Sequence, residues 1–306
     1  MSIKTNRTVA EAQKVAVMSD IHSNYYAFKT CFEDALANGV QGFVFLGDYV
    51  SDLSEVRATL DLLYDIIAKY PTVCLRGNRE RYMLNHRDGI SHFSYGAESG
   101  SLFYTYEHLE KSDIEFFERL SFSNAVRIGG VDFNIAHSTM DNDRCYFDHI
   151  SGFENIFARM DRQYMLVGHS HKQFLIEQDG KTIINPGSVG VPHSGDALSQ
   201  YAILEFADAE VSCSLRRVPY DVKKTIHAQF ESGLVDCGKY WPIGVLYDVI
   251  TGEERCIKLL EQVLAQDGSE NEEIWCAEAQ KMGMKFTAEE IVEDYRKFIC
   301  SSRYDT

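Results

Sequence analysis

Two carboxylates, one amide and four imidazoles stand in five short segments of this chain: Asp20-Ile21-His22, Gly47-Asp48, Gly77-Asn78, an isolated His137, and Gly168-His169-Ser170-His171. Oxygen and nitrogen donors without a thiolate suit Mn, Fe or Zn rather than a soft-metal site. A pair of such ions can acidify water and neutralise charge on a phosphoryl group. Asp20 and His22 lie two apart on an extended segment, so both can face one side and grip one ion. Asp48 has two carboxylate oxygens with which to bridge two ions, and Asn78 offers a neutral oxygen. His169 and His171, again two apart, can serve one ion each or share one, with His137 completing the set. Glycines 47, 77 and 168 allow sharp turns and close approach of a substrate. Each segment alone has an ordinary explanation: an Asp after a strand caps helices, a lone His sits in a core, a His-Ser-His forms a surface turn. Five in order, beside glycines and after apolar runs, point to a metal centre.

The elements around them must bring these donors together. Residues 15–19 read as a buried strand, 25–38 as a helix with an apolar stripe ended by Gly39, and 43–46 as a second strand. Residues 54–70 form a second helix stopped by Pro71, and 72–75 a third strand. This alternation predicts a parallel sheet with helices on its faces. In such sheets ligands gather beyond the carboxyl ends of the strands, where each donor segment falls. Residues 79–120 read as mostly helical, with Ser112 and Glu115 as a capping box. Hairpins follow: 125–128 with 131–136 across Gly129-Gly130, then 173–177 with 182–184 across Asp179-Gly180. Between them residues 164–167 deliver the His-Ser-His segment. Asn185-Pro186-Gly187-Ser188-Val189-Gly190 makes a rigid loop, and 201–206 with 211–218 a last antiparallel pair. The chain therefore divides into a catalytic unit, 1–218, and a helical cap or accessory extension, 219–306. Helices are expected at 221–230, 254–265, 272–281 and 287–300, the last opened by a Thr287/Glu290 capping box. Trp241-Pro242-Ile243-Gly244 reads as a turn between them.

Bulk properties narrow the partners. A net charge of −16 argues against a nucleic-acid or anionic-membrane binder, because phosphate-backbone binding needs a basic surface. It leaves room for a small phosphate substrate, since two divalent cations dominate the field at their own site. No apolar run approaches the roughly 20 residues that span a bilayer. Residues 1–14 lack the apolar core of a secretory signal. The eight cysteines, including Cys145, are scattered without a C-x-x-C pair, as expected of reduced core thiols in a cytoplasmic protein; none is assigned to metal. No pattern specifies an oligomer.

The order D-x-H, G-D, G-N, H, G-H-x-H resembles the calcineurin-like metallophosphoesterase family over residues 14–218, and the Asn185-Pro186-Gly187-Ser188 loop resembles its small bacterial phosphodiesterase branch. Gln200-Tyr201-Ala202-Ile203-Leu204-Glu205-Phe206 and Arg216-Arg217-Val218-Pro219-Tyr220-Asp221-Val222 are similar to asymmetric diadenosine tetraphosphate hydrolases of that branch. The resemblance implies an α/β fold, a four-layered α/β/β/α sandwich of two mixed sheets, here with a C-terminal helical extension. It implies two divalent ions, Mn first, with Fe and Zn also suited. Asp20, His22 and His171 would hold one, Asn78, His137 and His169 the other, with Asp48 bridging. It implies in-line hydrolysis of a small phosphate substrate, nucleotides included, and Asn78, Arg79 and His169 are the residues expected at the catalytic contact with phosphate. Many members of the family carry a proton-donating histidine where this chain has Arg79. An arginine stays charged and is a poor acid, but its fork can clamp phosphate oxygens or pair with Glu80 or another acid. That favours phosphodiesters and phosphoanhydrides over unactivated alkyl monoesters. Asp48 also lacks the Asp-Arg-Gly that follows it in the family's Ser/Thr phosphatases. His86 and His193 read as surface histidines. Arg76 and Arg81 rank below Arg79, and Phe93, Tyr95, Phe103, Tyr104 and Tyr106 read as core or lid rather than a base-stacking face.

Overall fold

A computed structural model of the chain describes residues 8–97, 99–144, 150–208, 210–266, 268 and 271–302. Cys145 and residues 1–7 lie outside that set. The first half alternates β1 (Lys14–Met18), α1 (Tyr25–Ala37), β2 (Gly42–Phe45), α2 (Val56–Lys69) and β3 (Thr72–Cys74). Helices α3 (Asn78–Arg87), α4 (Gly100–Glu107) and α5 (Lys111–Arg119) follow, then the hairpin β4 (Ser123–Ile128) and β5 (Val131–Ala136). Next come α6 (Ile150–Arg159), β6 (Tyr164–Leu166), β7 (Gln173–Gln178), β8 (Lys181–Pro186), β9 (Ser199–Ala207) and β10 (Glu210–Val218). The remainder is helical: α7 (Val222–Glu231), α8 (Leu234–Gly238), α9 (Tyr240–Thr251), α10 (Arg255–Leu264), α11 (Glu272–Lys281) and α12 (Ala288–Ser302).

The strands form two mixed five-stranded sheets, ordered β10-β9-β1-β2-β3 and β4-β5-β6-β8-β7. β1, β2 and β3 run parallel, as do β5, β6 and β8. Alternation along the strands sorts side chains into layers. Val15 and Val17 of β1 join Val44, Phe133, Ile135 and Leu166 in the core between the sheets. Ala16, Met18, Phe43 and Phe45 face outward onto α1 and α2. Phe153, Ile156 and Phe157 of α6 cover Met165 and Ile183 on the second sheet's outer face. The result is the α/β/β/α sandwich, and with both faces of the central strands covered, every residue of β2 is buried.

Several local expectations need correction. The α5 cap is not Ser112/Glu115: Glu110 N–H donates to Asp113 Oδ2 at 2.7 Å, two residues earlier. Asp113 wins because its carboxylate also takes Arg57 and the Tyr64 hydroxyl, a tertiary demand invisible to local pattern. Trp241-Pro242-Ile243-Gly244 is not a turn but the first turn of α9. Proline is tolerated there because the first N–H groups of a helix lack intrahelical partners anyway. Nearly all of α9 is buried, so it shows no amphipathic period to read. Helix α6, which the sequence reading did not anticipate, packs on the second sheet. Thr287 does cap α12, its Oγ1 accepting from Glu290 N–H at 3.4 Å. The C-terminal helices share a core of their own, built around Trp275, Leu246, Leu259 and Ile291, which also takes in Leu53 and Val191 from the sandwich. Cysteines 31, 74, 213, 237, 256, 276 and 300 are free thiols, and burial pushes Cys31 up to about 12.

Candidate metal centre

The five donor segments leave the carboxyl ends of β1, β2, β3, β5 and β6, three from one sheet and two from the other. At three of these corners the backbone turns with the wrong hand for most side chains. Asp20, His22, Asp48, His169 and His171 all have φ between 50° and 66°, a left-handed region that Asp, Asn and His enter more readily than other side chains. Such strain persists only when the surroundings enforce it. Here they do: Asp20 N–H donates to Gly47 O, Ile21 N–H to Asp48 O, and Gly168 N–H to His137 O. The 185–190 loop clamps the same corners, with Asn185 Nδ2 on Gly168 O, Ser188 Oγ on Asp20 O and Gly190 N–H on Asp20 O. Gly77 is required by proximity: a Cβ there would sit 2.1 Å from Asp48 Oδ1 and 2.7 Å from the His137 ring.

Two groups of donors result. Asp20, His22 and His171 lie within 4.8 Å of one another, and so do Asp48, His137 and His169. Asp48 Oδ2 stands between them, 3.8 Å from His22 Nε2 and 3.5 Å from His137 Nε2. Asn78 Oδ1 lies 3.1 Å from His137 Nε2. The tautomers can be deduced from what each ring's other nitrogen meets. His171 Nδ1 faces Val191 O at 2.6 Å, His137 Nδ1 faces Leu46 O at 2.9 Å, and His22 Nδ1 faces Asp52 Oδ2 at 2.9 Å. Carbonyls and carboxylates only accept, so each Nδ1 carries the proton and, in the neutral ring, each Nε2 presents a lone pair. Yet His22 Nε2 and His171 Nε2 are 3.0 Å apart, and His137 Nε2 points at two oxygens that also only accept. Asp20 Oδ1, fully buried, has no hydrogen bond at all. Lone pairs crowded against lone pairs, with a buried carboxylate oxygen left over, fit a cation in each group. The residues present therefore suit divalent ions.

Burial disfavours charge on His137, but Asp48 and Asp20 outweigh it and raise that ring, so a proton and a cation compete for its Nε2. Burial drives Asp20 above its ordinary range, with His137 opposing. Burial would do the same to Asp48, but His137, His22 and Arg79 outweigh it and hold that carboxyl low. Burial, then the His137 charge, push His169 down to about 3, and burial with His22 keeps His171 well below its usual value; both rings are neutral, as ligands must be.

Residues the sequence reading passed over complete the site. Asp52 accepts from Trp241 Nε1 at 2.9 Å and pairs with Arg79 Nη2 at 2.8 Å while touching His22. Arg79 thus has Asp52 as its acid, while its backbone N–H holds Asp48 Oδ1 at 2.8 Å. Glu80 instead gathers the N–H groups of Asp48, Tyr49 and Gly77, and burial with the Asp48 charge raises it to about 7. His193 is not a surface residue: its ring centroid lies 4.8 Å from that of His171, with Asp248 and Glu254 at 3.7 and 3.6 Å. His86 stacks on Phe93 at 4.4 Å inside an aromatic cluster with Phe103 and Tyr106, away from the donors. Arg81 pairs with Asp143. No spacing in the chain marks Asp52 or His193, because their partners Trp241, Asp248 and Glu254 come from the C-terminal helices. Above the donors, a cavity of about 350 Å³ runs from His22, Asp48 and Asn78 to α9 and α10.

Residues 14–209 match the model of the calcineurin-like phosphoesterase superfamily domain. The chain belongs to that superfamily. An uncharacterised protein of Methanocaldococcus jannaschii is 26% identical over 230 residues, 69% of this chain and 89% of that one. Among solved structures, a metallophosphoesterase from Sphaerobacter thermophilus shares the fold at TM-score 0.62 and 22% identity, covering 78% of this chain and 99% of its own. A hypothetical protein from Pyrococcus horikoshii does so at TM-score 0.67 and 17% identity, covering 79% and 99%. As a calcineurin-like phosphoesterase, the protein is a metal-dependent hydrolase acting on phosphate-containing substrates. Among the described residues no helix is long and apolar enough to cross a membrane.

Proposed function

We propose that this phosphoesterase binds two divalent ions, Mn first, and hydrolyses a phosphodiester or phosphoanhydride. Asp20, His22 and His171 would hold one ion and Asn78, His137 and His169 the other, with Asp48 available to both. The observation that carries this reading is the pair of Nε2 atoms of His22 and His171, 3.0 Å apart, with His171 Nδ1 on Val191 O and His22 Nδ1 beside the Asp52 carboxylate. When bound, the ions lower the pKa of water for attack on phosphorus and neutralise charge developing on the phosphoryl oxygens. The chain's own residues do the rest. Arg79, fixed by Asp52 and lining the cavity, directs its fork at phosphate oxygens. It supplies no proton, so departure is easiest for groups that need none: a nucleotide phosphate, as in a dinucleoside polyphosphate, or an activated phenol.

The test is turnover of bis(p-nitrophenyl) phosphate, diadenosine tetraphosphate and phosphoserine by Mn-loaded protein, beside Asp48→Asn. At least one of the first two is expected to turn over, at least a hundredfold slower in the variant, with phosphoserine poorest. Phosphoserine leading the three would replace the diesterase reading with a monoesterase one.

A further inference from the structure

The cavity has two unlike ends. One is the donor cluster. The other is built by the C-terminal helices, which give it an apolar wall of Trp241, Val245, Cys256 and Ile257 beside Val191. The same helices place the carboxylates of Asp248, Glu254 and Glu261 around that wall. Arg79 is the only lysine or arginine lining the cavity among the described residues, and it stands at the donor end beside Asp52. His193 is enclosed by Asp248 and Glu254, so its charge is already matched, and Lys172, which pairs with Glu254 at 2.9 Å, does not line the space.

We propose that α9 and α10 form the subsite for the second substituent on the phosphorus. This subsite takes an uncharged or cationic group with an apolar face and rejects an anionic one. The proposal rests on the metal-site reading above and narrows it. A polyphosphate tail would carry several negative charges into a lobe whose three carboxylates outnumber its one cation, His193, and in a partly buried space the net encounter is repulsive. An aromatic or alkyl group instead covers the apolar wall, and a quaternary amine gains from the carboxylates as well. Dinucleoside polyphosphates are then the poorest members of the phosphodiester and phosphoanhydride class for this enzyme.

The experiment uses the Mn-loaded full chain with three substrates: bis(p-nitrophenyl) phosphate, p-nitrophenylphosphocholine and diadenosine tetraphosphate. Wild type and Glu261→Lys are compared on each, so that a substrate's intrinsic reactivity cancels. Glu261 is exposed on α10, where the change does not disturb packing. The expected result is kcat/KM for both p-nitrophenyl substrates at least tenfold above that for the tetraphosphate. Glu261→Lys should raise the tetraphosphate value relative to the choline ester by about three- to tenfold, the effect of reversing one nearby charge. A tetraphosphate that is the best substrate, or a ratio that does not move, overturns the subsite while the metal site stands. Failure to hydrolyse any of the three with Mn bound overturns the metal-site reading and the subsite with it.

Discussion

Asp52 is the residue on which most of the site's geometry converges. Its carboxylate meets the Nδ1 of His22, the guanidinium of Arg79 and the indole N–H of Trp241. Arg79 and His22 hold it ionised against the opposing effect of burial. Groups that orient a metal-binding imidazole typically contribute 10–100-fold to metal affinity, so Asp52→Asn is expected to weaken Mn binding by about that factor while leaving the fold intact, as read by calorimetric titration and circular dichroism. An unchanged Mn affinity would mean that His22 is oriented without it. The donors themselves were legible because carboxylate, amide and imidazole in that order, each after an apolar run, have few other uses. Asp52 was not. It lies four residues beyond Asp48 in a polar stretch, at φ 69°, and nothing in Ser51-Asp52-Leu53-Ser54 announces a tryptophan 189 residues away.

At the scale of elements, the strand–helix alternation through residue 75 and the two glycine-centred hairpins were readable because each follows from local chemistry. Gly129 and Gly130 have φ of 56° and 84°, the turn that a two-residue hairpin demands. What failed to show was set by tertiary contact. Helix α5 begins where it does because Asp113, fully buried, takes Arg57 Nη1 at 2.8 Å, Tyr64 Oη at 2.7 Å and Glu110 N–H at 2.7 Å. Asp113→Ala would strand all three, and should destabilise the fold by about 2–4 kcal/mol. Ser112→Ala, at the position favoured by sequence pattern, should change stability by under about 0.5 kcal/mol. Urea unfolding of the two variants gives the comparison; equal losses would restore Ser112 as the cap. Helix α9 escaped notice for the opposite reason, since a helix buried on nearly every side carries no polar face for a periodic pattern to reveal.

For the whole molecule, the decisive fact is that the candidate ligands come from both sheets. Asp20, His22, Asp48 and Asn78 follow strands of one, His137, His169 and His171 strands of the other. Ions at that seam bind only the assembled sandwich and therefore stabilise it by mass action. At a hundredfold excess over Kd the gain is about 2.7 kcal/mol, which for a chain of this size is a rise in Tm of about 4 °C. Chelator should reverse it, and Asp48→Asn should show little of it; scanning calorimetry with and without Mn is the measurement, and identical melting curves would argue against ions at the seam. The strands were legible as short apolar runs, whereas their division between two sheets was implied by the family resemblance. The joining of the C-terminal helices to the cavity was not, since it depends on which face of α9 and α10 meets His193 and Asp52.

The left-handed corners at Asp20, His22, Asp48, His169 and His171 have a consequence for how this sequence can drift. Asp, Asn and His are the side chains that such backbone tolerates best after glycine, and they are also the ones the chemistry wants. The positions are held twice over. A lineage that no longer needed hydrolysis could not fill these corners with valine or isoleucine without distorting the ends of its central strands. It would retain aspartate, asparagine, histidine or glycine there long after selection for turnover had ceased, and the inherited motif would outlast the activity.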